Sequence, residues 1–487
     1  MSCVFSSIHS QDRVSVDYHL TAEGALSSGE YTPYMLTANQ FDMLSPRANT
    51  GYMSAGITGA FQFMDRWNLS GGITGLVSAH SNHKAYLQEL YLRATYRKIY
   101  LEVGARQKSS PVINRELSSG DFIYSGNAKP IPSFHAATVG FVTFPYLHEW
   151  IEAYADFGYG RLFDGDWLED RFEDYHASHN GSFFTKDVSF HHKELYLRTN
   201  SKRRFFATLG MQHAVFFGGI KTTYEFSKEV EVYGKKAKPG DFLRVLIPKS
   251  DGSGSSKGDG FVFGNHIGVW YLDLGYNVRE GKQLRAYMEK PFEDGSGIAF
   301  RNGLDGLWGI EYAVSNKKSP IKGIVAEYLQ TTNQSGPIHW APGDFDASIS
   351  NKLPSEATGA DNYYNNYYYN GYSYYGLSLG SALLKSPYYN EDNYLNYVDN
   401  RVQAYHLGIN GDISSRFTYL AKFSYREGYG TPFIPLPAKH HSFDSMVQIN
   451  FNHQQWQYSA SCALTQGNVY GNSLGFGLKI KYNGKIL

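Results

Sequence analysis

Polar and apolar residues alternate one for one over much of this chain. Residues 86–96 read Tyr-Leu-Gln-Glu-Leu-Tyr-Leu-Arg-Ala-Thr-Tyr, with Leu90, Leu92, Ala94 and Tyr96 on one face and Glu89, Tyr91, Arg93 and Thr95 on the other. After a short polar turn at Arg97-Lys98, Ile99, Leu101, Val103 and Ala105 alternate with Tyr100, Glu102, Gly104 and Arg106. A period of two sends successive side chains to opposite faces of a β-strand, so this stretch predicts a hairpin with one apolar and one ionic face. Residues 150–160 repeat the logic, with Ile151, Ala153, Ala155 and Phe157 opposed to Glu152, Tyr154, Asp156 and Gly158. Towards the C-terminus, 401–413, 415–425, 444–452, 456–466 and 472–482 form a run of similar strands. The segment Gln88 to Gln107 also aligns without gaps with Lys193 to Gln212, each carrying Glu-Leu-Tyr-Leu-Arg before a basic turn. Two such copies predict duplicated hairpins in one sheet, not a solenoid, which needs at least three regular repeats.

Alternation predicts strands without saying which face is wet. In a soluble sheet protein the ionic face is outside; in a transmembrane barrel the apolar face meets lipid and the ionic face lines the lumen. Mid-strand ions of both signs (Glu89, Arg93, Glu102, Arg106, Glu152, Asp156, Glu194, Arg198) fit a shared inner wall on which they pair. No run of about 18 apolar residues occurs, which excludes a transmembrane helix. The mean hydropathy of −0.41 does not exclude a barrel, whose strands give lipid only every second residue. The 50 Gly, 40 Tyr and 31 Phe suit that class. The fold expected is all-β: a large antiparallel transmembrane β-barrel of about 16–18 strands with long extracellular loops, against the alternative of a soluble all-β protein such as a propeller, which composition and period alone do not separate from it.

Three stretches break the alternation and are expected as those loops: 164–188, polar and charged; 214–260, with a Lys/Glu-rich part and a flexible Ser/Gly run; and 333–400, dominated by Tyr, Asn, Ser and Gly. Residues 30–48 also lack alternation and are expected as a short helical or irregular segment at the barrel mouth. Residues 1–11 resemble the tail of a signal peptide without its basic and full apolar parts, leaving 12–487 as a single barrel domain. A barrel of this kind is expected in the outer membrane of a Gram-negative bacterium, in contact with membrane lipid and lipopolysaccharide.

Charge and chemistry narrow the function. Lys+Arg and Asp+Glu balance at 45 each, so nothing favours nucleic acid as a partner. Two cysteines, Cys3 and Cys462, supply no disulfide framework, and no cofactor is implied. The local histidine pairs, such as His191/His192 and His440/His441, lack both His-Glu-x-x-His spacing and cysteine partners, so no metal site is expected. No Gly-x-Ser-x-Gly elbow stands in a strand–turn–helix context. The expectation is therefore a non-catalytic protein, with a porin-like channel and, less favoured, a barrel hydrolase as alternatives.

The densest candidate chemistry is the tract 361–376, Asp-Asn-Tyr-Tyr-Asn-Asn-Tyr-Tyr-Tyr-Asn-Gly-Tyr-Ser-Tyr-Tyr-Gly. Tyrosine faces stack on the C–H faces of sugar rings while hydroxyls and amides meet sugar hydroxyls, at little side-chain entropy cost. Tyr363, Tyr364, Tyr367, Tyr368, Tyr372, Asn365 and Asn366, with Trp340 upstream, are the candidate carbohydrate-binding residues. The tract reads as an extracellular glycan-binding or lumen-plugging loop, against the alternative of an aromatic girdle at the membrane interface. Arg301 to Tyr312 reads as a turn feeding a strand, with Gly303 and Gly306 supplying positive φ and Trp308 at an interface. Asn127-Ala128-Lys129-Pro130-Ile131-Pro132 cannot be a central strand and reads as an ordered loop or lumenal constriction, with Lys129 available to an acidic polymer.

Four of these stretches together resemble the capsule-assembly Wzi family, and its Bacteroidetes branch in particular. They are Leu117 to Pro132; Arg301 to Tyr312; Glu327 through Thr331, Asn333, Gln334, Ser335, Gly336 and Pro337 to the Asp361–Asn366 tract and Gly371; and Asn400-Arg401-Val402 to Leu407-Gly408-Ile409. Their order and spacing run from about residue 15 to the end. The resemblance implies an outer-membrane barrel that holds or organises capsular or other surface polysaccharide in a lectin-like manner. It assigns no sugar-binding residue to a numbered position here. Enteric members carry an N-terminal periplasmic helical bundle, for which the residues before 50 leave little room.

Overall fold

The computed structural model describes residues 13–63, 66–81, 84–143, 150–247, 263–278, 281–293, 295–315, 318–334 and 361–487. Eighteen strands follow one another around a closed antiparallel barrel. They are β1 (Arg13–Ser27), β2 (Thr50–Phe63), β3 (Trp67–Ala79), β4 (Ala85–Tyr96), β5 (Ile99–Ala105), β6 (Ser133–Thr138, resumed at Val142–Thr143), β7 (Ile151–Arg161), β8 (Ser189–Thr199) and β9 (Phe205–Phe217). The second half comprises β10 (Asn265–Val278), β11 (Lys282–Phe292), β12 (Gly306–Val314), β13 (Gly323–Gln330), β14 (Val402–Asp412), β15 (Phe417–Gly430), β16 (Pro435–His453), β17 (Trp456–Gly467) and β18 (Ser473–Lys485). Closure is made by β1 against β18, in the register Asp17↔Lys485 to Ser27↔Gly475. A closed ring leaves no sheet edge, so every backbone group along the wall has a partner without water.

Burial settles which face is wet. Leu92 is 62% exposed and Val103 56%, while Glu102 is 2% exposed on the opposite face of the same hairpin. An apolar skin around an ionic interior is the pattern of a barrel in lipid and the reverse of a soluble fold. Among the described residues no helix is long and apolar enough to cross a membrane. The expected internal echo is real: the two copies form the hairpins β4–β5 and β8–β9. A bulge at Gln88, between the pairs Thr74↔Glu89 and Gly75↔Leu87, turns two consecutive polar residues inward without exposing either to lipid.

One barrel end has the short turns, the start of β1 and the end of β18; the other carries the long connections. Outward aromatics ring the short-turn end, with contacts such as Trp67–Tyr96, Phe205–Tyr276, Phe417–Phe451 and Trp456–Tyr482, all at 4.7–4.8 Å between ring centroids. Trp308, Tyr328 and Tyr405 lie outward near the other end. Such belts suit the boundary between hydrocarbon and water.

The long connections are more ordered than their composition suggests. Residues 164–188 hold the helix Gly165–Ser178 and the strand Asn180–Lys186, which joins Gly219–Glu225 and Lys228–Lys235 in a separate three-stranded sheet. The loop expected from 214 begins at Gly218, because Ala214 to Phe217 complete β9. The strand expected over 444–452 begins already at Pro435. Residues 28–49 do not stay at the mouth. Their short helix Tyr34–Thr37 is buried within the barrel, where Tyr34 N–H donates to Thr465 Oγ1 at 3.1 Å and the Tyr34 ring stacks on Tyr470. Residues 1–11 and Trp340 lie outside the described residues.

Candidate functional site

Three connections fold back from the long-loop end into the lumen: 28–49, 106–132 and the tyrosine tract with its continuation to 401. The middle one is pinned to the wall by carboxylates from the ionic strand faces. Glu327 on β13 accepts hydrogen bonds from Ser118 Oγ, Ser119 N, Ser119 Oγ and Tyr287 Oη, at 2.6, 2.7, 2.6 and 2.5 Å. Glu289 on β11 accepts from Phe122 N at 2.9 Å, and His406 on β14 bridges Ser424 and the Leu117 carbonyl. Asp121 closes its own turn by accepting from Ile123 N and Tyr124 N and takes a third bond from Gln212 on β9. Burial is the dominant influence on its carboxyl, which is shifted upward despite these donors.

The two prolines of 127–132 sit where no ladder bond is needed. Lys129, expected to be available to a polymer, is instead enclosed. Its Nζ lies 3.6 Å from Asp42 and 3.7 Å from the centre of the Tyr86 ring, with Tyr375 at 4.6 Å. Burial lowers the Lys129 pKa and raises that of Asp42 to about 6, so loss of water outweighs their pairing. A cation shielded by two aromatic rings holds the plug together and does not face a ligand.

The tyrosine tract packs on this segment. Tyr364 Oη donates to the Phe122 carbonyl at 2.5 Å and accepts from Ser381 N at 2.9 Å; Tyr372 Oη donates to the Ile123 carbonyl at 3.0 Å. Asn302 donates to the Tyr363 hydroxyl, and Tyr368 Oη donates to the Gly219 carbonyl. Asn365 holds both the carbonyl and the N–H of Tyr397 at 2.8 Å, while Asn366 caps Tyr368 N and donates to Asn265. The structure therefore brings Tyr363, Tyr364, Tyr368 and Tyr372 together inside the barrel, all buried, with Asn365 and Asn366 as their fasteners. Among the candidates within the described residues, Tyr367 alone is open, at 50% exposure. The 301–312 motif behaves as expected, with φ of 57° at Gly303 and 143° at Gly306 leading into β12, and Trp308 half-exposed on the outer face.

Around Tyr367 stands a rim of residues that sequence reasoning did not single out. Lys221 Nζ donates to the Tyr367 carbonyl at 2.6 Å and lies 4.0 Å above the Phe183 ring. Tyr233, 39% exposed, meets Tyr368 edge-on. These three residues come from the small sheet, whose strand Lys228–Lys235 alternates Lys, Glu, Val and Tyr. That alternation was the signal available. Farther along the rim, Arg171 lies over Trp167 and Tyr388 and donates to the Tyr388 and Asn390 carbonyls. Asp164, at the start of the helix, accepts from Tyr375 N, and burial raises its pKa to about 7. Planar rings, hydroxyls and fixed cations on one wet surface can stack on and hydrogen-bond a polyhydroxylated ligand. Among the described residues no group of three or more His, Cys, Asp or Glu is placed to hold a metal.

No protein-family model matches the chain, and no curated protein matches it. Solved structures do. Wzi of Escherichia coli, an outer membrane protein involved in group 1 capsule assembly and described as a carbohydrate-binding β-barrel, is similar with 11% identity, 95% of this chain and 83% of that chain covered, and a TM-score of 0.56. Looser likenesses are OccK5 (OpdH) of Pseudomonas aeruginosa, at 9% identity, 97% and 98% coverage and a TM-score of 0.48, and OccAB4 of Acinetobacter baumannii, at 11%, 97% and 98%, and 0.45. At these identities the likeness is one of fold: a large outer-membrane-type β-barrel.

Proposed function

We propose that this barrel resides in the outer membrane of a Gram-negative bacterium and binds capsular or related surface polysaccharide, without catalysis, on its long-loop end. The observation that carries the reading is the rim of Tyr367, Tyr233, Phe183 and Lys221, mounted on a plug whose tyrosines and asparagines are already hydrogen-bonded. Binding to such a surface orders little that is not ordered beforehand, which favours affinity. Many weak ring contacts along a polymer add through multivalency. The shared fold with a barrel described as carbohydrate-binding agrees with this reading, though it places no residue. The buried tyrosines act in it indirectly, by fixing the height and rigidity of the rim.

The experiment is binding of labelled surface polysaccharide from the producing cells to the purified barrel in detergent, read by interferometry. The Tyr367→Ala, Tyr233→Ala double variant should weaken binding roughly tenfold, since aromatic contacts contribute about 0.5–1.5 kcal/mol each. Tyr405→Ala, on the lipid face, should leave it unchanged. Equal binding by the double variant and the parent would remove the rim from the mechanism.

A further inference from the structure

The plug does not fill the whole lumen. On the inner face of β16, Ser442, Asp444 and Met446 are buried, Gln448 and Asn450 are partly open, and Asn452 is exposed. β17 and β18 repeat the gradient, from Thr465 and Ala463 to Ser461 and Gln457, and from Ser473 to Lys479, Lys481 and Asn483. The inner wall thus becomes wet towards the short-turn end. Beneath the plug, between residues 35–40, residues 115–116 and β15–β18, lies a cavity of about 250 Å³. A single water needs only about 10–15 Å³ by this measure, so the space suits a small organic molecule.

We propose that this chamber is a binding site, entered from the short-turn end, for a monoanionic sugar of the uronic acid class. Its charges argue for the anion. Arg115, Lys422 and Lys479 face Glu23 and Glu116 across it, three cations against two carboxylates. Lys479 pairs with Glu23 at 2.9 Å, and Glu23 also accepts from the Tyr52 hydroxyl. Glu116 accepts from Asn410 at 2.6 Å. Lys422 has no ion pair or hydrogen bond among the described residues, and Arg115 has only the face of Phe41, 5.0 Å away. Lys422, partly buried, and Arg115, on the exposed side of the chamber, have no carboxylate within ion-pair distance among the described residues, and together they attract one negative charge.

The rest of the lining argues for the sugar. Gln448, Ser461 and Asn39 offer amides and a hydroxyl, and the Asn39 side-chain oxygen is buried without a partner. The free acceptor capacity of Glu23 and Glu116 suits ligand hydroxyl donors and repels a second negative charge, which disfavours a phosphate dianion. Met35, Leu36, Leu420 and Met446 form an apolar side against which the C–H face of a pyranose ring fits. The chamber is walled off from the rim by the plug, so this site is independent of the polysaccharide reading given above.

The test is calorimetric titration of the whole barrel in detergent with glucuronate, glucose and inorganic phosphate in turn. Glucuronate should bind at least tenfold more tightly than either of the others, and its affinity should fall as salt rises from 50 to 500 mM. Lys422→Met should weaken glucuronate about tenfold, as loss of one charge-assisted contact implies, while Lys422→Arg should restore most of it. The Tyr367→Ala, Tyr233→Ala variant should bind glucuronate as the parent does. Equal affinity for glucuronate and glucose, preference for phosphate, salt-independent binding by the parent, or loss of glucuronate on changing the rim would each overturn the proposal. The parent measurements alone decide the ligand class should Lys422→Met fail to fold.

Discussion

Two arcs of the same inner wall meet the plug in opposite ways. On the arc from β7 to β14 the inward residues are buried almost from end to end: Gly323, Val325, Glu327 and Leu329 on β13 are all buried, as are Ile267, Val269, Tyr271, Asp273 and Gly275 on β10. Here Glu152, Asp156, Glu311 and Glu327 each have fixed partners. Arg285 donates to Glu311 and Asp273 at 3.0 Å and to the Tyr271 hydroxyl and Val112 carbonyl at 2.8 Å. On the arc from β15 through β18, the lower half is wet, lysines stand with few partners, and the neighbours are Ser, Asn and Gln. One alternating pattern thus builds a sealed wall or a hydrated one. The difference lies in whether Arg and carboxylates are complementary to a loop that comes to meet them.

The sharpest break of that contrast is on the sealed arc. Glu327→Ala leaves two serine hydroxyls, an amide and a tyrosine hydroxyl in a dry interior without their acceptor. Arg285→Met strands Asp273 and Glu311 as buried carboxylates. Arg285→Met should loosen the 106–132 segment by about 3–5 kcal/mol, the usual scale for breaking a buried ion pair from one side, and Glu327→Ala by about 1–3 kcal/mol for each buried donor left without its acceptor. Hydrogen exchange across 112–124 should accelerate strongly while the barrel keeps its heat-modifiable mobility on gels. Unchanged exchange in both variants would mean that the segment is held by its apolar contacts alone.

Next in size is the plug's own core. Tyr364→Phe keeps the ring but deletes a hydroxyl that bonds the Phe122 carbonyl and Ser381 N, both in buried residues. Leaving them unpaired should cost about 1–3 kcal/mol, seen as faster exchange at Ser381 and protease cleavage within 361–401. Tyr367→Phe, on the wet rim, should change neither.

These two tyrosines also show where sequence reading stops. Alternation exposed the hairpins, the apolar and ionic faces of their strands and the duplicated Glu-Leu-Tyr-Leu-Arg segments, because a strand records its two environments every second residue; which of the two faces is wet came only from burial. The tract 361–376 records nothing of the kind. Tyrosine is at home on a wet surface and in a dry core, so eight of them in sixteen residues point equally to a ligand and to a plug. What decides is contact at a distance: Tyr364 meets Phe122 across 242 residues of chain. The chamber was hidden for a related reason, since Arg115, Lys422 and Lys479 come from separate parts of the chain and share no motif. The rim strand Lys228–Lys235 was legible in principle, Val230 and Val232 alternating with Glu229, Glu231 and Tyr233, but its net polarity masked it within a loop-like stretch.

A third, smaller effect is set by pH. The buried Asp164 carboxyl has its pKa raised to about 7, well above the unfolded value near 3.9. A raised carboxyl favours the folded state at low pH. That contribution is lost as pH climbs from about 4 through about 7, because the native site must then hold a dry charge. Docking of the helix Gly165–Ser178 against Tyr375 should therefore be tighter at pH 5 than at pH 8. Amide exchange at Tyr375, after correction for its intrinsic base dependence, should rise across that interval in the parent and stay level in Asp164→Asn. A parent profile as flat as that of the variant would place the Asp164 carboxyl in contact with water.

The smallest effect belongs to the wet arc and completes the contrast. Lys479→Met removes an ion pair of 2.9 Å to Glu23, a little shorter than the 3.0 Å pairs of Arg285 on the sealed side. Distance alone would rank it with Arg285. The surroundings do not: the Lys479 and Glu23 side chains are 33% and 20% exposed, against 15% for Arg285 and 2% for its partner Asp273. Water can take over both ends of the lysine pair, and Glu23 keeps the Tyr52 hydroxyl. Such pairs contribute about 0–1 kcal/mol, so unfolding in detergent and exchange across 28–49 should match the parent within that range. A loss comparable to that of Arg285→Met would mean the two arcs share one dielectric environment, and the division of the lumen into a sealed and a hydrated wall would fail with it.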